Sequence, residues 1–533
     1  MSSASADLSI FAALFGSVAE EMGTSYYLSS FSPNIKERRD YSCGLFDAEG
    51  RMAAMAPHVP LHLGSMPAAV QSVLSLAPFE PGDLVILNDP YMSGTHLPDV
   101  TMVAPVFIGS DSPAFFTASR GHQADIGGSS PGSMAAAREL FQEGLIIPPV
   151  RFYKAGTLVE DVRKMIMANV RTPEERWGDL RAQAAAHLIA EERLRELAGR
   201  FGLDTCWAKM SELMDYTERM TRLAIGRVPD GEYRFEDFLD DDGFGTDRIR
   251  IAVRLRVNGD EMDVDFEGSS PLVEGSLNAT TAVTSSAVHY IVRCLLPRDV
   301  PANDGSTRPV TIRVPERSVV NAARPHAVAG SIETAQRVAD TLIGALGQAL
   351  PKEMPAASHG SMNNITFGGW DSRKDAPFSY YETIGGGVAG NPRHRGADAM
   401  HVHMTNTLNT PIEVLEMSYP LRVLEYAIRD GSGGTGMHRG GSGTVRTWQA
   451  LVACTLSLLG DRRVTEPWGA LGGGNGKPGR NRLIRGDEEQ VLPSKLTRQL
   501  EAGDIIVMET ADGGGWGEPG ADGEEDTRAP STG

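Results

Sequence analysis

The chain has 533 residues, of which 41% are hydrophobic and 22% charged, so it has enough apolar material for about two to four globular domains. The formal net charge of −19 argues against a nucleic-acid-binding protein, which needs a basic face, and against binding to anionic membranes. The 4 cysteines lie far apart and form no C-x-x-C pair, which favours a reducing compartment without a disulfide framework or a zinc ribbon.

The N-terminal segment does not have the pattern of a secretion signal. It lacks positive charge, and the apolar residues that follow are interrupted by Glu20 and Glu21. Since no apolar run is long enough to span a bilayer, we expect a cytoplasmic protein. Residues 8–22 have apolar side chains at helical spacing, which predicts an amphipathic helix that ends at Gly23.

Residues 40–125 alternate short apolar runs with turn residues, which indicates mixed β structure. Residues 44–54 predict a hairpin with its turn at 47–50. The segment that follows contains His58 and His62, and Pro60 between them argues against a helix, so we expect an extended turn. These two histidines are candidates for orienting metal ligands or carrying protons, although a structural role fits them equally well.

A polar loop at 88–100 joins two predicted strands and carries His96 and Asp99. Pro105 makes the second of these strands an edge or bent strand. A third apolar run leads to His122, and Asp40 lies upstream. Two imidazoles and two carboxylates are a common ligand set for Zn, Mn or Fe. The spacing alone leaves the question open, because a histidine in a polar loop often only forms hydrogen bonds.

The rest of the chain changes character several times. Helix-forming residues dominate residues 159–200 and again residues 207–225, with a start signal at Thr172 and Pro173. A period of two then predicts a hairpin that turns at Asn258 and Gly259. We therefore predict a multi-domain α+β protein. The predicted regions are an N-terminal metal-binding region (1–132), a helical region (133–230), a mixed α/β core (231–420), a β-rich C-terminal region (421–517) and a disordered tail (518–533).

Three motifs resemble cofactor or nucleophile sites but lack a feature that each chemistry needs. Residues 431–436 fit G-x-G-x-x-G, yet poor helix-forming residues follow, and residues 472–478 have Pro478 where a phosphate loop needs Ser or Thr. Ser130 is followed by Pro131, which has no N–H to donate to an oxyanion. These segments therefore predict loops, and a metal-activated water is a better candidate nucleophile than a side chain.

Several further segments together carry a family resemblance. They are ERRDYSC (37–43), PHVPLHLGSM (57–66), NDPY (88–91), GTHLPD (94–99), GHQADIGG (121–128), YETIGGG (381–387), HMTNT (403–407), NTPIE (409–413) and RGG (439–441). In this order they resemble the hydantoinase B / 5-oxoprolinase family, from about residue 7 to residue 517.

The resemblance implies the metal-bearing half of ATP-dependent enzymes that open cyclic amides or carboxylate ketones. It implies that ATP is used by a separate hydantoinase A type partner in a hetero-oligomer. It also implies that Asp40, His96, Asp99 and His122 hold one divalent metal, Zn or Mn. One departure follows Asp398, where relatives often have glycine and this chain has Ala399.

The resemblance leads to a first hypothesis and two rivals. The first is the metal-dependent subunit of an ATP-dependent hydrolase of hydantoin, N-methylhydantoin, 5-oxoproline or a lactam. His58, His62 and Asp89 are then candidates for proton transfer or for orienting the ligands. The rivals are an alpha-type subunit of an ATP-dependent ketone carboxylase, which would require bicarbonate, and a non-catalytic scaffold subunit.

Overall fold

The structure is a computed structural model that describes residues 3–56, 59–92 and 94–520, with side chains from residue 7 onward. His58 and the predicted disordered tail beyond residue 520 therefore lie outside the described residues. Among the described helices, none has both the length and the apolar character needed to cross a bilayer.

The described chain combines helices and β-sheets, so the predicted α+β class is confirmed. The helices are α1 (Ser3–Ser29), α2 (Pro33–Lys36), α3 (His62–Leu74), α4 (Glu160–Asn169), α5 (Pro173–Phe201), α6 (Leu203–Ile225), α7 (Thr281–Cys294), α8 (Ser331–Ala349) and α9 (Ile412–Ser418). Short 3-10 turns lie at Pro90–Met92, Pro131–Ser133, Leu140–Gln142 and Asp304–Thr307.

The strands of the N-terminal half are β1 (Tyr41–Phe46), β2 (Met52–Ala56), β3 (Leu84–Leu87), β4 (Asp99–Val106), β5 (Phe115–His122), β6 (Val150–Lys154), β7 (Thr157–Leu158), β8 (Gly231–Asp241), β9 (Asp247–Asn258) and β10 (Glu261–Asp265). Those of the C-terminal half are β11 (Val310–Arg313), β12 (Asn364–Asp371), β13 (Ala376–Glu382), β14 (Leu421–Ile428), β15 (Thr444–Ala450), β16 (Cys454–Leu459), β17 (Arg480–Arg485), β18 (Glu488–Leu492), β19 (Lys495–Leu500) and β20 (Ile505–Glu509).

Four sheets in the described residues organise these strands. Their orders are β2-β1-β5-β4-β3-β6-β7, β11-β10-β9-β8, β13-β12-β16-β19 and β14-β15-β20-β17-β18. The first sheet extends past residue 132 through β6, and the third joins strands from both sides of residue 420. Two predicted region boundaries are thus crossed by sheets, and the division into domains stays a prediction.

The two predicted hairpins are confirmed. In the first, β1 pairs with β2, and the Asp47 carboxylate closes the turn by accepting hydrogen bonds from the backbone N–H groups of Glu49 and Arg51. In the second, β9 pairs with β10 directly across Asn258 and Gly259. Gly259 adopts a φ of 62°, which glycine accepts at little cost.

Helix α1 does not end at Gly23, as the sequence predicted, but continues for six more residues to Ser29. A glycine inside a helix costs only about 1 kcal/mol. Continuing the helix buries Tyr26 in a core with α5, where Phe15 and Met22 from the preceding turns also pack. Tertiary packing therefore outweighs the local stop signal.

The prediction based on Pro60 was wrong, and so was the edge-strand alternative of the prediction based on Pro105. Residues from His62 onward form helix α3 rather than an extended turn, because Pro60 precedes the helix and so interrupts no helical hydrogen bond. Strand β4 is central rather than an edge strand. Pro105 is tolerated there because the β3–β4 pairs, which run from Leu87–Thr101 to Val85–Val103, have already ended.

The glycine-rich C-terminal loops pack backbone against backbone. A Cβ placed at Gly441 would lie 1.9 Å from the carbonyl oxygen of Ala397, and one at Gly513 would lie 2.0 Å from that of Val388. Such approaches exclude any larger side chain. The loop at 431–436 lies between β14 and β15, as a tight β loop was predicted to do.

Candidate metal centre

Strand register brings two of the candidate ligands together. Asp99 is the first residue of β4, His122 is the last residue of β5, and the two are directly opposed in the antiparallel ladder. Side chains of opposed residues lie on the same face of a sheet, within about 5.5 Å at Cβ. The apolar runs that form these strands therefore fix the spacing of two chemically active side chains.

The loop before β4 adds His96. The backbone N–H of Asp99 donates to the His96 carbonyl at 3.1 Å, which folds the loop end into a tight turn. Gly94 makes this path possible, because a Cβ there would lie 2.8 Å from the carbonyl oxygens of Asn88 and Asp89. The Asn88 side chain bonds the carbonyl of Leu97 at 2.8 Å and so ties the loop to the protein interior.

Three ligand-type atoms meet at this point. His96 Nε2 lies 3.1 Å from His122 Nδ1 and 3.3 Å from Asp99 Oδ1, and His122 Nδ1 lies 3.2 Å from the same oxygen. All three side chains are buried. One ligand atom from each of these side chains lies within 4.8 Å of the others, which is close enough for the three to hold one metal ion.

Protein groups behind the two imidazoles hold their orientation. His96 Nδ1 lies 3.4 Å from the carbonyl oxygen of Ala329, whose own N–H donates to Glu143. The His122 ring stacks on Tyr381 with centroids 4.3 Å apart and an interplanar angle of 15°. Backbone acceptors and packed rings of this kind fix which nitrogen a histidine presents to a metal.

His62 contacts the far side of the Asp99 carboxylate. His62 Nε2 lies 3.5 Å from Asp99 Oδ2, while its Nδ1 lies 2.8 Å from the hydroxyl of Ser42. The hydroxyl of Thr95 also donates to Asp99 Oδ2. Oδ1 of Asp99 therefore faces His96 and His122, whereas Oδ2 faces His62 and Thr95. The Asp99 carboxylate thus separates His62 from the three clustered ligand atoms.

The electrostatics suit cation binding. Burial alone would raise the pKa of Asp99, but the three histidines that face it hold its pKa well below the ordinary value. Burial lowers the pKa of His122 and of His62, and the charge of Asp99 only partly opposes this. For His96, burial is outweighed by Asp99 and its pKa is raised. An ionised carboxylate beside imidazole nitrogens is a donor set that Zn or Mn takes, and binding of the metal would displace the proton that the raised pKa of His96 favours.

Asp40 lies beside this group without joining it. Its backbone carbonyl accepts from the N–H of His122 at 3.0 Å, and its carboxylate lies 3.8 Å from the guanidinium of Arg38. The negative charge of Asp40 adds to the raised pKa of His96 and partly offsets the lowering of the pKa of His122 by burial. The structure thus brings three of the four expected ligands into mutual contact range, and the fourth stays a prediction.

The other two candidate residues have different outcomes. His58 lies outside the described residues. Asp89 is buried, and its carboxylate is engaged by Arg324 and by the N–H of Tyr91, the latter at 3.0 Å. These contacts organise the loop that leads to His96, and a catalytic role for Asp89 stays a prediction.

The chemistry of the donor atoms fits a metal ion. His96 Nε2 and His122 Nδ1 face each other at 3.1 Å, and both also face the same carboxylate oxygen. One proton can satisfy only one of these contacts, whereas a cation would serve two nitrogens and an oxygen together. A buried set of this kind is more readily explained by a shared cation than by hydrogen bonding alone.

Sequence reasoning missed Tyr381 and Glu143 as parts of this site. Tyr381 lies in a segment that carried the family resemblance, but nothing local assigns it to His122. Burial raises the pKa of Glu143 to about 8, and its carboxylate accepts from the N–H groups of Val328 and Ala329. Both residues reach the site only through tertiary packing, so the spacing of residues in the sequence could not reveal them.

Comparison with known families gives a match over nearly the whole chain. The sequence model of the family described as hydantoinase B/oxoprolinase matches residues 5–519. An uncharacterized protein of Methanocaldococcus jannaschii is 37% identical, over 94% of this chain and 88% of its own length. A Pseudomonas sp. protein, provisionally named as the B-type component of a D-/L-hydantoinase, is 34% identical, with the same coverage of 94% and 88%.

Some relatives are much longer than this chain, so the chain matches only part of their length. The 5-oxoprolinase 1 of Arabidopsis thaliana is 37% identical over 96% of this chain, but the chain spans only 41% of that protein.

The crystal structure of an ATP-dependent caprolactamase from Pseudomonas jessenii is similar with a TM-score of 0.89 and 30% identity, over 96% of this chain and 91% of that one. An acetone carboxylase structure shares the fold, with a TM-score of 0.87, 20% identity and coverage of 96% and 75%.

Proposed function

This chain belongs to the hydantoinase B/oxoprolinase family, and we propose that it is the metal-bearing component of an ATP-dependent hydrolase of cyclic amides. The substrate class we propose comprises 5-oxoproline, hydantoins including N-methylhydantoin, and lactams. The names of the 5-oxoprolinase, hydantoinase and caprolactamase relatives support this class.

One observation carries the proposal. The Nε2 atom of His96, the Nδ1 atom of His122 and an oxygen of Asp99 lie 3.1 to 3.3 Å from one another in a buried site. We propose that these three side chains, with Asp40 as a fourth, hold one divalent ion, Zn or Mn. Ligand chemistry does not separate these two metals.

When bound, such an ion makes water a stronger acid and polarises the carbonyl carbon that is attacked. The side chains of this chain supply the remaining requirements. Tyr381 fixes the orientation of the His122 ring, and the carbonyl of Ala329 fixes that of His96. Because the site is buried, charge interactions between its groups are stronger than they would be in water.

We propose that His62 accepts the proton that the attacking water gives up and passes it to the amide nitrogen as the C–N bond of the ring breaks. Its Nε2 atom has no hydrogen-bond partner among the described residues, although it lies 3.5 Å from Asp99 Oδ2. Its lowered pKa, caused first by burial, favours the unprotonated imidazole, which is the form that acts as a base. Ser42 at 2.8 Å fixes the ring in place.

We propose that ATP is used by a hydantoinase A type component rather than by this chain. The glycine-rich segments that most resemble phosphate loops are packed backbone to backbone in the described structure. The component is either a separate subunit in a hetero-oligomer, as the name of the Pseudomonas relative suggests, or part of a longer chain, as the 41% coverage of the Arabidopsis protein suggests.

The test is ring opening by the chain together with a hydantoinase A type ATPase. We expect hydrolysis of 5-oxoproline, hydantoin or caprolactam with ATP, and loss of activity in Asp99→Asn. The matched control is Asp111→Asn, which makes the same change at an exposed carboxylate in the β4–β5 connection. Full activity without ATP, or full activity in Asp99→Asn, would contradict the proposal, and a requirement for bicarbonate would favour carboxylation instead.

A further inference from the structure

A cavity of about 960 Å³ opens between α6, α7, α8 and residues 388–406. Its volume is at the upper end of the roughly 300–1,000 Å³ typical of small-molecule sites. His96, Asp99 and His122 do not form its described wall. The cavity is therefore larger than a small cyclic amide needs, and it is separate from the clustered ligand atoms.

Two residues of the cavity wall are close in the chain to residues that contact the metal centre or its supporting groups. Pro60 lies two residues before His62, and Thr405 lies two residues before Thr407. The hydroxyl of Thr407 accepts from the Arg38 guanidinium at 3.3 Å, and the same guanidinium lies 3.8 Å from the Asp40 carboxylate. The chain segments that form the cavity wall therefore also carry His62, which contacts Asp99, and Thr407, which contacts Arg38 beside Asp40.

The mouth of the cavity is positively charged, although the chain as a whole carries −19. Arg227, Lys352 and Arg393 line it, and Glu353 is the carboxylate among its described wall residues. Glu353 lies 3.8 Å from Arg227. In the part of the chain that the structure describes, no carboxylate pairs with Lys352 or Arg393. Two cationic side chains are therefore available to a ligand.

Two histidines line the interior. Both ring nitrogens of His401 are buried and lack a hydrogen-bond partner in the described residues. His403 Nε2 lies 2.9 Å from the Asp340 carboxylate, whose other oxygen accepts from Arg462 at 2.9 Å. Asp340 thereby orients the His403 ring and leaves Nδ1 as the atom that can address a ligand. Unpaired buried polar atoms in a native cavity call for a partner.

We propose that this cavity binds a phosphate-bearing ligand, with Arg393 and Lys352 at its mouth and His401 and His403 inside. We take this ligand to be a cyclic amide whose carbonyl oxygen has received the terminal phosphate of ATP in the hydantoinase A type component, with release of ADP, and this identity rests on the proposed function. A phosphate group has several oxygens and more than one negative charge, so it uses several donors at once, and Arg is well suited to bind it in a bidentate manner. A single carboxylate would leave most of these donors unused.

The test is binding of inorganic phosphate to the full chain, measured by calorimetry after chelator treatment so that no metal competes for the anion. We expect Arg393→Ala and His403→Asn each to weaken phosphate binding roughly tenfold or more, the effect of losing a charge-assisted hydrogen bond. His403 has a φ of 50°, a conformation that Asn tolerates, so this variant keeps the backbone geometry. Arg219→Ala, at an exposed arginine of α6 outside the cavity wall, should bind as the parent does.

Equal phosphate affinity in the parent, Arg393→Ala and His403→Asn would overturn the proposal, as would the absence of phosphate binding at millimolar concentration. A titration with 5-oxoproline tests the other source of negative charge. If this carboxylate binds in a manner that depends on Arg393 while phosphate does not, the phosphate assignment is wrong. Phosphate binding that depends on Arg393, in a chain that opens no ring with its ATPase, would uphold the cavity site while contradicting the proposed reaction.

Discussion

The stack of Tyr381 on His122 offers a graded test of how the site is positioned. The rings lie 4.3 Å apart at an angle of 15°, and the Tyr381 hydroxyl donates to Asn364 Oδ1 at 2.8 Å. Tyr381→Leu removes the stack, whereas Tyr381→Phe keeps it and removes only the hydroxyl. The two variants therefore separate the orientation of His122 from the general stability of the site.

The magnitude follows from the contact. A stacked aromatic pair is worth about 1 kcal/mol beyond its buried area, which is roughly a fivefold effect. Loss of an orienting group behind a metal ligand typically weakens affinity by about 10- to 100-fold. We therefore expect roughly tenfold weaker zinc binding in Tyr381→Leu. In Tyr381→Phe we expect nearly unchanged zinc binding and a stability loss of about 1 kcal/mol, because Asn364 loses its donor.

The assay is competition for zinc with a chromophoric chelator, accompanied by urea unfolding of each variant. Zinc affinity that is equal in Tyr381→Leu and the parent would refute the view that ring stacking positions His122. A loss of affinity in Tyr381→Phe as large as that in Tyr381→Leu would show that the hydroxyl, and not the stack, carries the effect.

Three further predictions follow from single residues. His62→Gln should lower kcat at least tenfold while leaving metal content unchanged, because His62 contacts Asp99 but lies outside the ligand cluster; unchanged kcat would exclude it as the proton carrier. Ala399→Gly should stabilise the protein by about 1 kcal/mol in urea unfolding, because Ala399 has a φ of 55° that glycine adopts without strain; a loss of stability would contradict this. Burial raises the pKa of Asp304 to about 6, so its contribution to stability is present below the pKa of the unfolded chain and is lost as pH rises through 6. The free energy of unfolding of Asp304→Asn, relative to that of the parent, should therefore rise by at most about 3 kcal/mol between pH 4 and pH 7. A difference in unfolding free energy that stays constant over that range would argue against the raised pKa of Asp304.

The parts of the fold that depend on local patterns could be predicted from the sequence. The turns at 47–50 and 258–259 are set by Asp, Asn and Gly chemistry within a few residues. Helix α5 has Pro173 at its first position, as predicted, although the Thr172 side chain makes no capping hydrogen bond. The polar loop between β3 and β4 was also recognised, and with it the proximity of His96 to Asp99.

The errors arose where tertiary packing decides the outcome. Gly23 continues a helix because Tyr26 beyond it enters the core, and Pro105 lies in a central strand because the neighbouring strand ends before it. The pairing of Asp99 with His122 depends on sheet register, and the contacts of Tyr381 and Ala329 come from far along the chain. No periodicity or spacing rule reports such contacts.

Metal analysis of the full chain tests the central claim most directly. After zinc loading and dialysis, we predict about one ion per chain in the parent and in Asp111→Asn, and loss of that ion in Asp99→Asn and in His122→Ala with the fold retained by circular dichroism. A parent chain that retains no metal, or an undiminished metal content in both ligand variants, would contradict the account.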